Sequence, residues 1–93
     1  MTAALTGADV PRLPRGVRMR FDDVRKAHVL LAPERAFDLD ETAATVLELV
    51  DGTRSIASIV DELAARFDAD RTVIEADVIE MLADLVGKRI VER

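Results

Sequence analysis

His28 is the single histidine of this 93-residue chain, which has no Cys, Trp or Tyr. Hydrolytic or transfer chemistry needs a nucleophile beside a base, or a metal held by several side chains. No second His, no Cys and no clustered carboxylate stands with His28 to complete either set, so it reads as a surface or packing residue of a strand. Ser55 and Ser58 serve better at a helix start than as nucleophiles. The sequence therefore predicts no catalytic residues, no metal ligands and no cofactor. The chemistry that remains is main-chain hydrogen bonding. Arg35-Ala36-Phe37-Asp38-Leu39 is short, alternates from Ala36 onward, and runs straight into a helix. Such a strand is expected at a sheet edge, with N–H and C=O groups free to pair with another strand.

The neighbouring segments must position that edge. Ala27 to Ala32 is nearly all apolar, as in a strand covered on both faces, and is hinged to the edge strand at Pro33-Glu34. Val17 to Asp22 alternates, with Val17, Met19 and Phe21 toward the core and Arg18 and Arg20 toward water. The polar turn Asp22 to Lys26 makes these two strands a hairpin.

Three helices follow. The first is expected over 40–50, with Ala43, Val46, Leu47 and Val50 as its apolar stripe and Asp51-Gly52 as its stop. Ser55 caps the second, whose face is Ile56, Ile59, Val60, Leu63 and Phe67, and Asp70 caps the third. The third, over 71–86, has a core stripe of Ile74, Val78, Met81, Leu82 and Leu85. A second stripe of Ala76, Ile79, Ala83 and Val86 lies beside it. That width fits either a broad core face or a helix flanking a groove. Gly87 ends it, and Ile90-Val91 form a short extended tail. The fold class is α+β and winged helix-turn-helix-like: a three-stranded antiparallel sheet followed by three helices.

Up to Ala36 the chain holds seven bases and four acids; from Phe37 onward it holds six bases and fourteen acids. An acidic helical half argues against a polyanionic partner. No segment approaches the roughly 20 apolar residues of a membrane span. The first residues lack a secretory apolar run, and the absence of Cys fits the cytoplasm. Residues 1–16, with Gly7, Pro11, Pro14 and Gly16 and no period, read as a flexible arm or linker, disordered to about Pro11; residues 17–93 read as the binding domain.

Leu13 to Val91 resembles the PqqD family of pyrroloquinoline quinone biosynthesis. The resemblance rests on Pro14-Arg15-Gly16-Val17-Arg18, Val29-Leu30-Leu31-Ala32-Pro33-Glu34 and Leu39 leading into a helix. It continues through Leu49-Val50-Asp51-Gly52-Thr53-Arg54-Ser55, Ile59-Val60-Asp61-Glu62-Leu63, Asp77-Val78, Leu82 and Leu85. One departure is Lys88-Arg89, which stands where the family pattern leads one to expect a Gly directly before the last apolar pair. The resemblance implies a peptide-recognition module, a RiPP recognition element. Such a chaperone binds the precursor peptide PqqA and presents it to the radical S-adenosylmethionine enzyme PqqE. It also implies an occasional fusion to PqqC, with residues 1–16 as a former linker.

Both lines converge on Arg35, Ala36, Phe37, Asp38 and Leu39 as one wall of a peptide groove. Glu75, Ala76, Asp77, Ile79 and Ala83 of the third helix are expected as the other, Asp77 being open to a second reading as a local cap. Rival classes are a winged-helix DNA-binding domain, disfavoured by Glu75, Asp77, Glu80 and Asp84 on the third helix, and a dimerisation domain using the same edge. The chain is expected to be a monomer or weak homodimer.

Overall fold

Strands β1 (Arg18–Asp22), β2 (Ala27–Ala32) and β3 (Arg35–Leu39) form an antiparallel sheet in the order β1-β2-β3. Helices α1 (Glu41–Glu48), α2 (Ile56–Phe67) and α3 (Arg71–Gly87) follow. This is a computed structural model, and it describes residues 4–93. Fold class and element order are those expected from the sequence.

Cross-strand register sets the faces. Met19, Leu30 and Phe37 stand opposite one another on the side toward the helices. Leu30 is fully buried, in a core completed by Val46 and Leu47 of α1, Ile56, Ile59, Val60 and Leu63 of α2, and Val78, Leu82 and Leu85 of α3. Ile90 and Val91 fold back into it. The positive φ near the end of α3 falls on Arg89 (62°), not on a glycine, and the Ile90 N–H then donates to the Leu85 carbonyl.

The expected caps form. Asp40, Ser55 and Asp70 each accept an amide from the first turn of their helix. Gly52 takes φ 82°, and Asp51 accepts the Thr53 and Arg54 amides, so the α1–α2 connection is built by this pair. These two bonds, the Arg54 one first, pull the Asp51 carboxyl down to about 2.

Several expectations are corrected. The helix expected over 40–50 ends at Glu48, because Leu49 and Val50 bond back three residues and tighten the last turn. Its buried small residue is Ala44, not Ala43. Phe67, the last residue of α2, is 58% exposed, because the chain turns away at the left-handed Asp68 before the core reaches it. Phe21 is 46% exposed. It lies in the last core-side row before the β1–β2 turn, where its ring meets His28 edge-on at 5.1 Å instead of joining the core.

The largest correction concerns the arm. Residues 1–3 lie outside the described residues, but residues 4–13 are docked. Leu5 and Pro11 are buried. The carbonyls of Asp9 and Gly7 accept the Ile56 and Ala57 amides, two donors of the first turn of α2 that have no partner within the helix. Gly7 permits this approach, since a Cβ there would sit 3.3 Å from that of Ala57. Arg12 pairs antiparallel with Glu92 through two 2.8 Å backbone bonds and a 2.8 Å ion pair. Arg93 holds Asp9 at 3.1 Å. No hydrophobic period marks this segment, because it is a strap anchored through carbonyls and two buried side chains.

Candidate functional site

Strand β3 pairs with β2 along one side only, and no described strand covers its other side. The turn from Ala32 to Arg35 has two residues, Pro33 and Glu34 (φ 62°). A two-residue connection makes its flanking residues a hydrogen-bonded pair, and pair type then alternates along the ladder. Arg35, Phe37 and Leu39 thus turn their main-chain groups toward β2. Ala36 and Asp38 turn theirs outward. Two N–H donors and two C=O acceptors are set along the free edge at a strand's two-residue spacing.

Arg35 fixes this edge to the helices. Its Nη1 donates to the Lys88 carbonyl at the end of α3 (3.1 Å), and its guanidinium lies 5.0 Å over the Phe37 ring. Asp38 is held from the other direction by Arg25 at 2.7 Å, a bond that raises the Arg25 pKa. From the Lys88 contact α3 runs back toward α1, and there the two helices separate. A cleft of about 260 Å³ opens between them, lined by Thr42, Thr45 and Val46 of α1, Ile74, Asp77, Val78 and Met81 of α3, and Leu63, Phe67 and Ala69. Its wall is almost wholly apolar, with Asp77 as its one charged group.

The residues expected from the sequence divide accordingly. Arg35 to Leu39 form the edge as expected. Of the five expected on α3, only Asp77 lines the cleft. Glu75 is half-buried toward α2, bonded at 3.1 Å to Arg71, which also holds Asp61 of α2. Ile79 is half-buried against the core. Ala76 and Ala83 are exposed and lie roughly 140–160° around the helix from Val78. The side of α3 that faces α1 is the row Ile74, Asp77 and Met81, of which the sequence assigned Asp77 to the groove wall but Ile74 and Met81 to the core stripe. Phe67, which the sequence placed on the core face of α2, instead lines this cleft at the end of the helix.

Among the described residues no group of three or more His, Cys, Asp or Glu comes together to hold a metal. No described helix is long and apolar enough to cross a membrane. The arrangement offers a free strand edge on β3 and an apolar cleft between α1 and α3.

Comparison with known proteins shows the family. The family model described as "Coenzyme PQQ synthesis protein D (PqqD)" matches residues 27–91, which include β2, β3 and all three helices. The chain belongs to the PqqD family. It is 59% identical over 90 residues to the bifunctional coenzyme PQQ synthesis protein C/D of Methylorubrum extorquens, covering 97% of this chain and 24% of that longer protein. It is 52% identical over 88 residues to the PqqA binding protein of Xanthomonas oryzae pv. oryzae, covering 95% and 96% of the two chains. Its backbone is similar to the solution structure of the PqqD truncation of Methylobacterium extorquens PqqCD, described as a functional and stand-alone RiPP recognition element. There the TM-score is 0.85 at 59% identity, with 97% and 96% of the chains covered. The crystal structure of PqqD from Xanthomonas campestris is similar with a TM-score of 0.61 at 44% identity, covering 97% and 100%. The PqqD match begins after β1, so the strap that reaches α2 lies outside it.

Proposed function

We propose that this protein is a non-catalytic peptide-binding chaperone of pyrroloquinoline quinone biosynthesis. It binds the precursor peptide PqqA as a fourth strand on β3 and presents it to the radical S-adenosylmethionine enzyme PqqE. The observation that carries this reading is the free edge of β3, with the main-chain groups of Ala36 and Asp38 turned outward; the apolar cleft between α1, which follows β3 in the chain, and α3 is the pocket it offers a side chain. Backbone pairing gives affinity with little discrimination between sequences. Selectivity then comes from an apolar PqqA side chain seated between Val46, Ile74 and Met81, near the Asp77 carboxylate. Relatives named as PqqA-binding proteins, and a relative that joins C and D functions in one chain, support the same assignment and an association with PqqC. The setting is the cytoplasm, where a chain without Cys loses nothing.

Amide exchange with and without PqqA tests this. The Ala36 and Asp38 amides are expected to gain protection, and Ile74, Asp77 and Met81 to shift in resonance. Unchanged exchange on β3 at saturating PqqA would refute strand addition.

A further inference from the structure

The sheet has a second face, turned away from the helices. By register it carries two three-strand rows, Arg18–Leu31–Ala36 and Arg20–Val29–Asp38, and the pair Asp22–Ala27. Val29 is only 7% exposed although it takes no part in the core cluster, Leu31 is half-buried and Ala36 is exposed. Apolar residues thus line the middle of this face, with Leu31 and Ala36 accessible and Val29 already covered. Both carboxylates on the face are already engaged: Asp38 by Arg25, and Asp22 by the Val24 and Arg25 amides of the turn. Arg18 and Arg20 are exposed and make no ion pair or side-chain hydrogen bond among the described residues.

We propose that this face docks an acidic, partly apolar protein surface, that of the enzyme which acts on the bound peptide, with two of its carboxylates meeting Arg18 and Arg20. The inference rests on the peptide-binding role, since a module with no catalytic group of its own acts only by meeting a second protein. Alternate residues of a strand are roughly 6.6–6.8 Å apart. Two carboxylates one turn apart on a helix, with Cβ atoms about 5–6 Å apart, come close to that spacing. The peptide edge is β3 and the arginines are on β1, about 9–10 Å across the sheet, so both partners fit at once. Charge orients the encounter: the strongly acidic helical half repels an acidic surface while the sheet attracts it. The same net charge of −5, with apolar residues between the arginines and Asp38, favours a protein over a nucleic acid or an anionic membrane.

The test is the double variant Arg18→Glu/Arg20→Glu in the full chain, checked by circular dichroism for an unchanged fold. Fluorescence anisotropy with labelled PqqA and, separately, with PqqE as the probe reads the two surfaces. PqqA affinity is expected to stay within about twofold, while PqqE affinity falls at least tenfold. The parent complex with PqqE should weaken as salt rises, and Arg18→Lys/Arg20→Lys should keep most of the affinity. If the parent binds PqqA but the folded double variant holds PqqE as tightly, or no PqqE complex forms, this inference is wrong and the peptide-binding role stands. An equal loss of PqqA affinity would assign the face to the peptide instead. Tight heparin binding by the parent at physiological salt would assign it to a polyanion. If the parent fails to bind PqqA at all, it is the peptide-binding role that falls.

Discussion

The Nη1 of Arg35 donates to the carbonyl oxygen of Lys88 at 3.1 Å, which ties the first residue of β3 to the C-cap of α3. The bond satisfies a helix-end carbonyl that has no partner within its helix, and the same guanidinium lies over Phe37. It therefore fixes the spacing of β3 and the end of α3. Arg35→Ala is expected to lower stability by only about 1 kcal/mol, because the contact is exposed, yet to weaken PqqA binding several-fold. Thermal unfolding and calorimetric titration separate the two effects. A change in stability without a change in affinity would make Arg35 merely a fold contact.

Sheet, helices, caps and the edge position of β3 were legible because each rests on a short-range rule. Strict alternation gave β1, Pro33 ended β2, and Asp40, Ser55 and Asp70 stood where first-turn amides need an acceptor. The cleft was not legible. Apart from Asp77, its wall on α3 is Ile74, Val78 and Met81, and periodicity alone cannot tell a residue facing the core from one facing a gap between two helices. The strap from Leu5 to Arg12 was missed for a related reason. It is held by the carbonyls of Gly7 and Asp9 and by pairing with Glu92, and main-chain bonds leave little trace in side-chain pattern.

The strap makes a stability prediction opposite to that of a free arm. Leu5 is buried against the core, and the segment supplies two acceptors to the first turn of α2. Leu5→Ala is expected to cost about 2 kcal/mol, at the low end for a buried leucine because the strap around it can settle into the space left. Removing residues 1–12 should cost more, since the Arg12–Glu92 pairing goes with it. Denaturant unfolding measures both. An unchanged midpoint for the truncated chain would mean that the strap contributes nothing to the fold.

Asp51 gives a pH prediction with a definite sign. Its carboxylate accepts amides from Arg54 and Thr53, so its pKa falls from 3.8 to about 2 on folding. A depressed pKa means the charged form is favoured in the folded state. The stabilisation is fully present above the unfolded value near 3.8, is lost as pH falls toward about 2, and is gone below that. Asp51→Asn should remove that part of the acid dependence while leaving the slope above pH 5 unchanged. Carbonyl-carbon NMR titration of Asp51 reads the pKa directly; a midpoint near 3.8 would contradict the loop geometry.

The cleft and the far side of α3 should respond differently to bulk. Met81→Trp places extra volume into the 260 Å³ space between α1 and α3 and is expected to weaken PqqA binding at least tenfold with the fold retained. Ala83→Phe adds bulk to an exposed position on the other flank and should leave affinity within about twofold. Leu82→Ala, by contrast, empties a fully buried site and should cost about 2–5 kcal/mol. If Ala83→Phe blocks binding and Met81→Trp does not, the peptide lies along the outer flank of α3.

Strand addition has its sharpest test in the alternation along β3. The two-residue turn at Pro33-Glu34 makes Ala32 and Arg35 a bonded pair, so the Phe37 N–H bonds to β2 while the Ala36 N–H points outward. Proline has no N–H and fixes φ near −65°, which an edge strand tolerates where the donor is free. Ala36→Pro is therefore expected to keep the fold, because no ladder bond within the sheet is lost. It removes one donor that a peptide strand needs, and PqqA affinity should fall about tenfold. Phe37→Pro breaks a β2–β3 bond and removes a ring from the core side, so it should unfold or strongly destabilise the domain. Two prolines one residue apart thus give opposite outcomes, one in binding and one in folding. Full PqqA affinity in a folded Ala36→Pro variant would show that the peptide does not pair with this edge, leaving the α1–α3 cleft as the surface that holds it.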